Sequence, residues 1–135
     1  MYQRLVLLPL LCSILLVGAC DDPPDPGPSE PPPTEINETF AGTVTVNGAQ
    51  THSFSVTRAG SATARFASMS ISDAVVGLSL GTWNGQACAL QITNDNATAS
   101  STITGTASVG AFCVRVYDVG KLTGPLDYEV TVTHF

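Results

Sequence analysis

The sequence predicts an all-β domain over residues 36–135, a two-sheet antiparallel β-sandwich of about eight strands. Three observations carry this. Apolar residues alternate with polar ones throughout, and no stretch holds a helical period. Turn residues recur at nearly regular intervals. Only 12% of the chain is charged, and threonine and valine, which suit a pleated half-buried surface, are abundant. A single flat sheet would leave an apolar face wet, so the strands are expected to pack as two layers.

Taken in order, Phe40, Val44 and Val46 alternate with threonine and mark the first strand. Asn47-Gly48 follows, the strongest short-range hairpin signal a sequence can carry. Phe54 and Val56 mark the return strand, with a turn at Arg58-Ala59-Gly60. Ala62, Ala64 and Phe66 form a third strand, and Val76, Leu78 and Leu80 a fourth. Trp83-Asn84-Gly85 makes a tip, after which Cys88, Leu90 and Ile92 give a fifth. Asn94-Asp95-Asn96 is expected to break the chain before a weaker Thr/Ser-rich strand around Ile103. Phe112, Val114 and Val116 form the seventh strand, and Tyr128, Val130 and Val132 the last.

The domain is preceded by two segments of other kinds. Residues 1–19 read as a signal peptide: a short start with Arg4, a 13-residue apolar run over 5–17, then Gly18-Ala19. The run is too short to cross a bilayer core, which needs about 20 residues. Val17-Gly18-Ala19-Cys20 resembles a bacterial lipobox, which implies that Cys20 is acylated and anchors the chain to a lipid bilayer. An ordinary signal peptide cut after Ala19 is the alternative. Residues 20–35 read as a disordered spacer, because 21–35 hold seven prolines, five acids and no Lys or Arg. At about 3.1 Å per residue it could hold the domain roughly 45 Å from the lipid. The expected location is therefore a bacterial cell envelope, with the domain facing periplasm or exterior.

Most of the net charge of −6 lies in that spacer. Residues 36–135 hold six acids against four bases (Arg58, Arg65, Arg115, Lys121), a balance of −2 with no basic stripe. Nucleic acid is not an expected partner, since it calls for clustered Lys and Arg. Of four cysteines, Cys12 falls in the signal peptide and Cys20 in the lipobox. A disulfide between Cys88 and Cys113 is the economical reading in an oxidising compartment, with free thiols or a metal site as alternatives. No CxxC occurs and the two histidines are far apart, so no metal and no cofactor are expected. Cys113 is out of phase with Phe112, Val114 and Val116, so the bond requires either a bulge or an outer-face position.

The stretches FAGTVTVNGAQTHSFSVTRAG, VVGLSLG, GAFCVRVYDVG and YEVTVTH together resemble the bacterial pre-peptidase C-terminal domain over most of residues 39–134. The resemblance implies a jelly-roll-like sandwich, usually appended to exported enzymes and associated with folding, secretion or substrate attachment rather than catalysis. Here a lipobox and a spacer precede the module in place of a catalytic domain. The early acids of calcium-binding relatives are reduced to Glu35 and Glu38, so no calcium site is carried over.

No nucleophile elbow or phosphate loop is present, and the chain is not expected to be an enzyme. His52 and His134 are expected as surface histidines, His52 on the polar phase of its strand. Asp73, Asp95 and Asp118 are expected to bond their own turns rather than calcium. Trp83, the single tryptophan, either exposes its ring at the tip for a sugar or protein contact or folds back as a cap. Tyr117 would widen an aromatic patch if it lay beside Trp83. These features point to a membrane-anchored, non-catalytic binding or accessory domain. Its unknown ligand is either a polysaccharide, bound as by a carbohydrate-binding module using Trp83, or an envelope protein, as for a structural or assembly lipoprotein.

Overall fold

Period-two alternation does become strands, eight of them: β1 (Ile36–Val44), β2 (Ala49–Val56), β3 (Gly60–Met69), β4 (Val76–Trp83), β5 (Cys88–Ala97), β6 (Thr102–Ala107), β7 (Gly110–Tyr117) and β8 (Leu126–His134). The computed structural model describes residue 27 and residues 30–135. The expected signal peptide, the lipobox-like stretch with Cys20 and most of the expected spacer lie outside the described residues. Residues 30–35 are exposed and carry no regular structure, and β1 begins at Ile36.

The strands form two antiparallel four-stranded sheets, sheet A in the order β1-β8-β3-β6 and sheet B in the order β2-β7-β4-β5. This is the strand order of a jelly roll, two Greek keys folded face to face. Of the sequential connections only β4–β5 is a hairpin within one sheet; every other one crosses between sheets.

The expected hairpin at Asn47-Gly48 is therefore corrected. A tight turn does form there, with Gly48 N–H donating to the Thr45 carbonyl at 2.8 Å, but β1 pairs with β8 and β2 with β7. The central residues of the turn are Val46 and Asn47, and Asn47 alone has positive φ, 58°. That is the pattern of a type II turn, whereas the hairpin type I′ turn needs positive φ at both central positions.

The core is filled by one face of each sheet. Val44, Ala62, Ala64, Phe66, Ile103, Leu126, Tyr128, Val130 and Val132 come from sheet A, and Phe54, Val56, Val76, Leu78, Leu80, Val114 and Val116 from sheet B. Every buried apolar side chain lies at or beyond Val44, and Pro32–Phe135 forms one compact unit. The chain enters at the end of the sandwich that holds the β2–β3 and β6–β7 turns and the Trp83 tip. The β1–β2 turn and the β3–β4, β5–β6 and β7–β8 loops lie at the far end.

Candidate functional site

The two outer faces of the sandwich use their polar side chains differently. On sheet A, polar groups bond one another across strands: Thr39 with Thr131, Thr43 with Asp127, Thr63 with Thr104, Ser68 with Glu129, and Thr133 with Asn37. A hollow of about 620 Å³ lies there beside Thr43, Ser68, Asp127 and Glu129, yet its hydroxyls and carboxylates are already paired. On sheet B, register places Thr51 beside Arg115, Arg115 beside Ser79, and Ser79 beside Thr93. These side chains share the outer phase with Ser53, Cys113 and Tyr117, opposite the core phase of Phe54, Val114 and Leu80.

Tyr117 is the best-fixed aromatic on this face. It stands opposite Gly77 on β4, and a Cβ at Gly77 would fall 2.1 Å from its Cζ. Only glycine there lets the ring lie across β4 and reach β5, where the phenol donates to Asp95 Oδ1. Ser79 is buried beneath, within reach of Thr93 Oγ1 at 3.2 Å and Tyr117 Oη at 3.4 Å. Burial, and then the Asp95 carboxylate, push the Tyr117 phenol above its ordinary pKa, so it stays a donor at neutral pH.

Arg115 is the only Lys or Arg on the four strands of sheet B. Its guanidinium lies 5.7 Å from the Tyr117 ring centroid. Among the described residues it forms no ion pair, and its buried Nε has no hydrogen-bond partner. Past Tyr117 the face ends in a shallow cleft of about 440 Å³ lined by Asp95, Asn96, Tyr117, Val119 and Lys121.

The Cys88–Cys113 disulfide is formed and crosses the same face. Cys88 lies on β5 and Cys113 on β7, with β4 between them, so a flat sheet would hold them about 9.5 Å apart. The observed Cα–Cα distance is 5.8 Å. The start of β5 must therefore fold over β4, and it does so at Gly81, where a Cβ would meet the Ala89 carbonyl oxygen at 2.3 Å. Both resolutions of the phase conflict hold. The bond is on the outer face, and β5 carries a bulge at Gln91, between the pairs Leu80–Ile92 and Gly81–Leu90. The bulge turns Ile92 inward and leaves Cys88 and Leu90 outward.

Trp83 ends β4, half-buried, next to a tip in which Asn84 Oδ1 accepts from the Gln86 and Ala87 amides. It does not join Tyr117 in one aromatic patch. It lies six positions along β4 from Gly77, Tyr117's partner, a span of roughly 20 Å. The two aromatics mark opposite ends of one face.

Both histidines depart from expectation. His52 stands two residues from Phe54 and so shares its inward phase: its ring stacks on Phe40 at 5.2 Å and shares a 2.7 Å hydrogen bond with Tyr128. Burial lowers the pKa of His52 and raises that of Tyr128 to about 12. His134 is buried at the end of β8, packs on Phe54, and donates through Nε2 to Glu38 Oε1 at 2.8 Å. Neither is paired with Asp95 or Asp118. Asp118 does bond its own loop, accepting from the amides of Gly120, Lys121 and Leu122, and it also accepts from Asn47 in the β1–β2 turn. The Asn47 amide, the largest influence, holds its carboxyl below the usual range; desolvation opposes it, and the Leu122, Lys121 and Gly120 amides add to the lowering.

Arg115, Asp95 as partner of Tyr117, and the two close-approach glycines were missed in the sequence. One signal was present: Gly77, Ser79 and Gly81 alternate with Leu78 and Leu80, which marks one face of β4 as stripped of side chains. No family model matches the chain, and no curated protein matches it in sequence.

Proposed function

We propose that the protein is a membrane-tethered, non-catalytic binding domain that presents the outer face of sheet B to its ligand. One observation carries the reading: this face sets a fixed aromatic, Tyr117, beside a cation, Arg115, that has no ion pair among the described residues, above a floor of small residues. On the opposite face five polar pairs bond across strands, and its arginine, Arg65, also without an ion pair among the described residues, has no aromatic ring beside it there. The Tyr117 end also lies far from where the chain enters at Ile36, so a spacer anchored at Cys20 would leave it open to ligand. The strand order is compatible with the jelly-roll-like sandwich that the resemblance to the pre-peptidase C-terminal domain implies, a module associated with folding, secretion or substrate attachment rather than catalysis.

The test is a retention assay of the full-length protein, in mild detergent, against envelope proteins and insoluble polysaccharides. Thr51→Trp places a bulky ring on the sheet B face, and Thr104→Trp does the same on sheet A. Retention should be lost with the first and kept with the second. The opposite pattern, or loss with Trp83→Ala alone, would move the site elsewhere. For the anchor, Cys20→Ser should release the protein from the membrane fraction and remove the acyl mass.

A further inference from the structure

We infer that the ligand of this face is a carboxylate-bearing polysaccharide, held by Arg115 against its acid groups and by Tyr117 against its sugar rings. The inference rests on the binding face proposed above and adds the chemistry of what binds it.

Arg115 carries five N–H donors in a planar fork that matches a carboxylate. Among the described residues none of these donors is engaged in a salt bridge, and the buried Nε has no acceptor. The contact that places the guanidinium is the one with the Tyr117 ring, and a cation–π contact at a partly open site is weak. An incoming carboxylate therefore has no protein partner to displace. The Tyr117 ring beside the guanidinium offers the stacking surface. That ring is already held flat across Gly77 and tied to Asp95, so little side-chain freedom is lost when a sugar stacks on it.

The rest of the face favours a glycan over a protein partner. A protein interface needs a desolvated apolar centre. The exposed large apolar side chains are Ile36, Val46, Ile71, Leu90 and Val109, and of these only Leu90 is on this face. What surrounds Arg115 at the surface is Thr51, Ser53 and Thr93, exposed hydroxyls suited to a hydroxylated ligand. The run from Tyr117 to Trp83, roughly 20 Å, follows one strand and suits a linear polymer rather than a single sugar.

The experiment measures binding of the full-length protein in mild detergent to polygalacturonate, alginate and hyaluronate. Fully methyl-esterified polygalacturonate, the same backbone without charge, and dextran run beside them. At least one polyuronate should bind, at least tenfold more tightly than the ester or dextran. Arg115→Gln should abolish that preference, and Tyr117→Ala should weaken all polymer binding. Each variant is first checked for an intact disulfide and a cooperative urea transition. Equal binding of acid and ester, indifferent to Arg115→Gln but lost in Tyr117→Ala, would overturn the acidic ligand and leave the face standing. Retention of an envelope protein instead of any polymer, sensitive to Thr51→Trp, would overturn the glycan and again leave the face. Binding untouched by every substitution on this face would overturn both readings, and failure to bind any of the three polyuronates overturns the inference.

Discussion

His52 shows how a single side chain ties the two sheets together and sets a pH limit. It comes from β2 in sheet B, while the Phe40 ring it stacks on and the Tyr128 hydroxyl it bonds belong to sheet A. Burial favours the neutral imidazole, so its folded pKa lies below the unfolded value of about 6.5. Above that value both states are neutral and nothing changes. Below it the unfolded chain takes up a proton that the folded one refuses, so stability should fall as pH drops from 6.5 towards the folded pKa. One proton sets a ceiling of about 1.4 kcal/mol per pH unit, and the observed slope should be well under it because the ring is partly open to solvent. Urea unfolding at pH 7.5, 6.5 and 5.5 measures this. His52→Gln should flatten the profile; an unchanged slope in that variant would assign the effect to another group.

Among the elements, β5 departs most from what its residues advertise. Cys88, Leu90 and Ile92 share one parity in the sequence, yet the bulge at Gln91 sends Ile92 to the core and the other two outward. A bulge is a matter of pairing with the neighbouring strand, so alternation alone cannot reveal it. The same limit explains Asn47-Gly48. The turn was legible, but which strands pair across it depends on how the whole chain wraps, and the flanking strands went to different sheets. The existence of all eight strands was legible because each buries one face and alternates accordingly. The Arg115–Tyr117–Asp95 cluster was not, since its members come from β7 and β5 with β4 between them. The disulfide pins that fold-over of β5. With its cysteines 25 positions apart, it should contribute about 3.5 kcal/mol on the chain-entropy account. Reduction, or Cys88→Ser with Cys113→Ser, should lower the urea midpoint accordingly; an unchanged midpoint would mean the bond only positions the tip.

Across the whole molecule, the first and last strands are neighbours: Ile36 pairs with His134 and Val44 with Leu126. The domain is thus closed by the contact most distant in sequence, a topology associated with slow folding. The buried core begins at Val44, and residues 30–35 are exposed. Deleting residues 21–35 should leave the urea midpoint within about 0.5 kcal/mol of the parent's stability. The same deletion should cut retention on a cell-bound ligand by shortening the reach. A large loss of stability would show that the spacer packs on the sandwich.

That pairing also fixes how the molecule bears force. A ligand held on the outer face of sheet B and a tether pulling at residue 36 would load the protein along the strand direction, from one layer to the other. β1 would then be dragged lengthwise past β8, with nine residue pairs sharing the strain together. Peeling would break the same bonds one after another, at far lower tension. Tethered through this edge strand, the domain would hold under flow or shear rather than unzip from its own end.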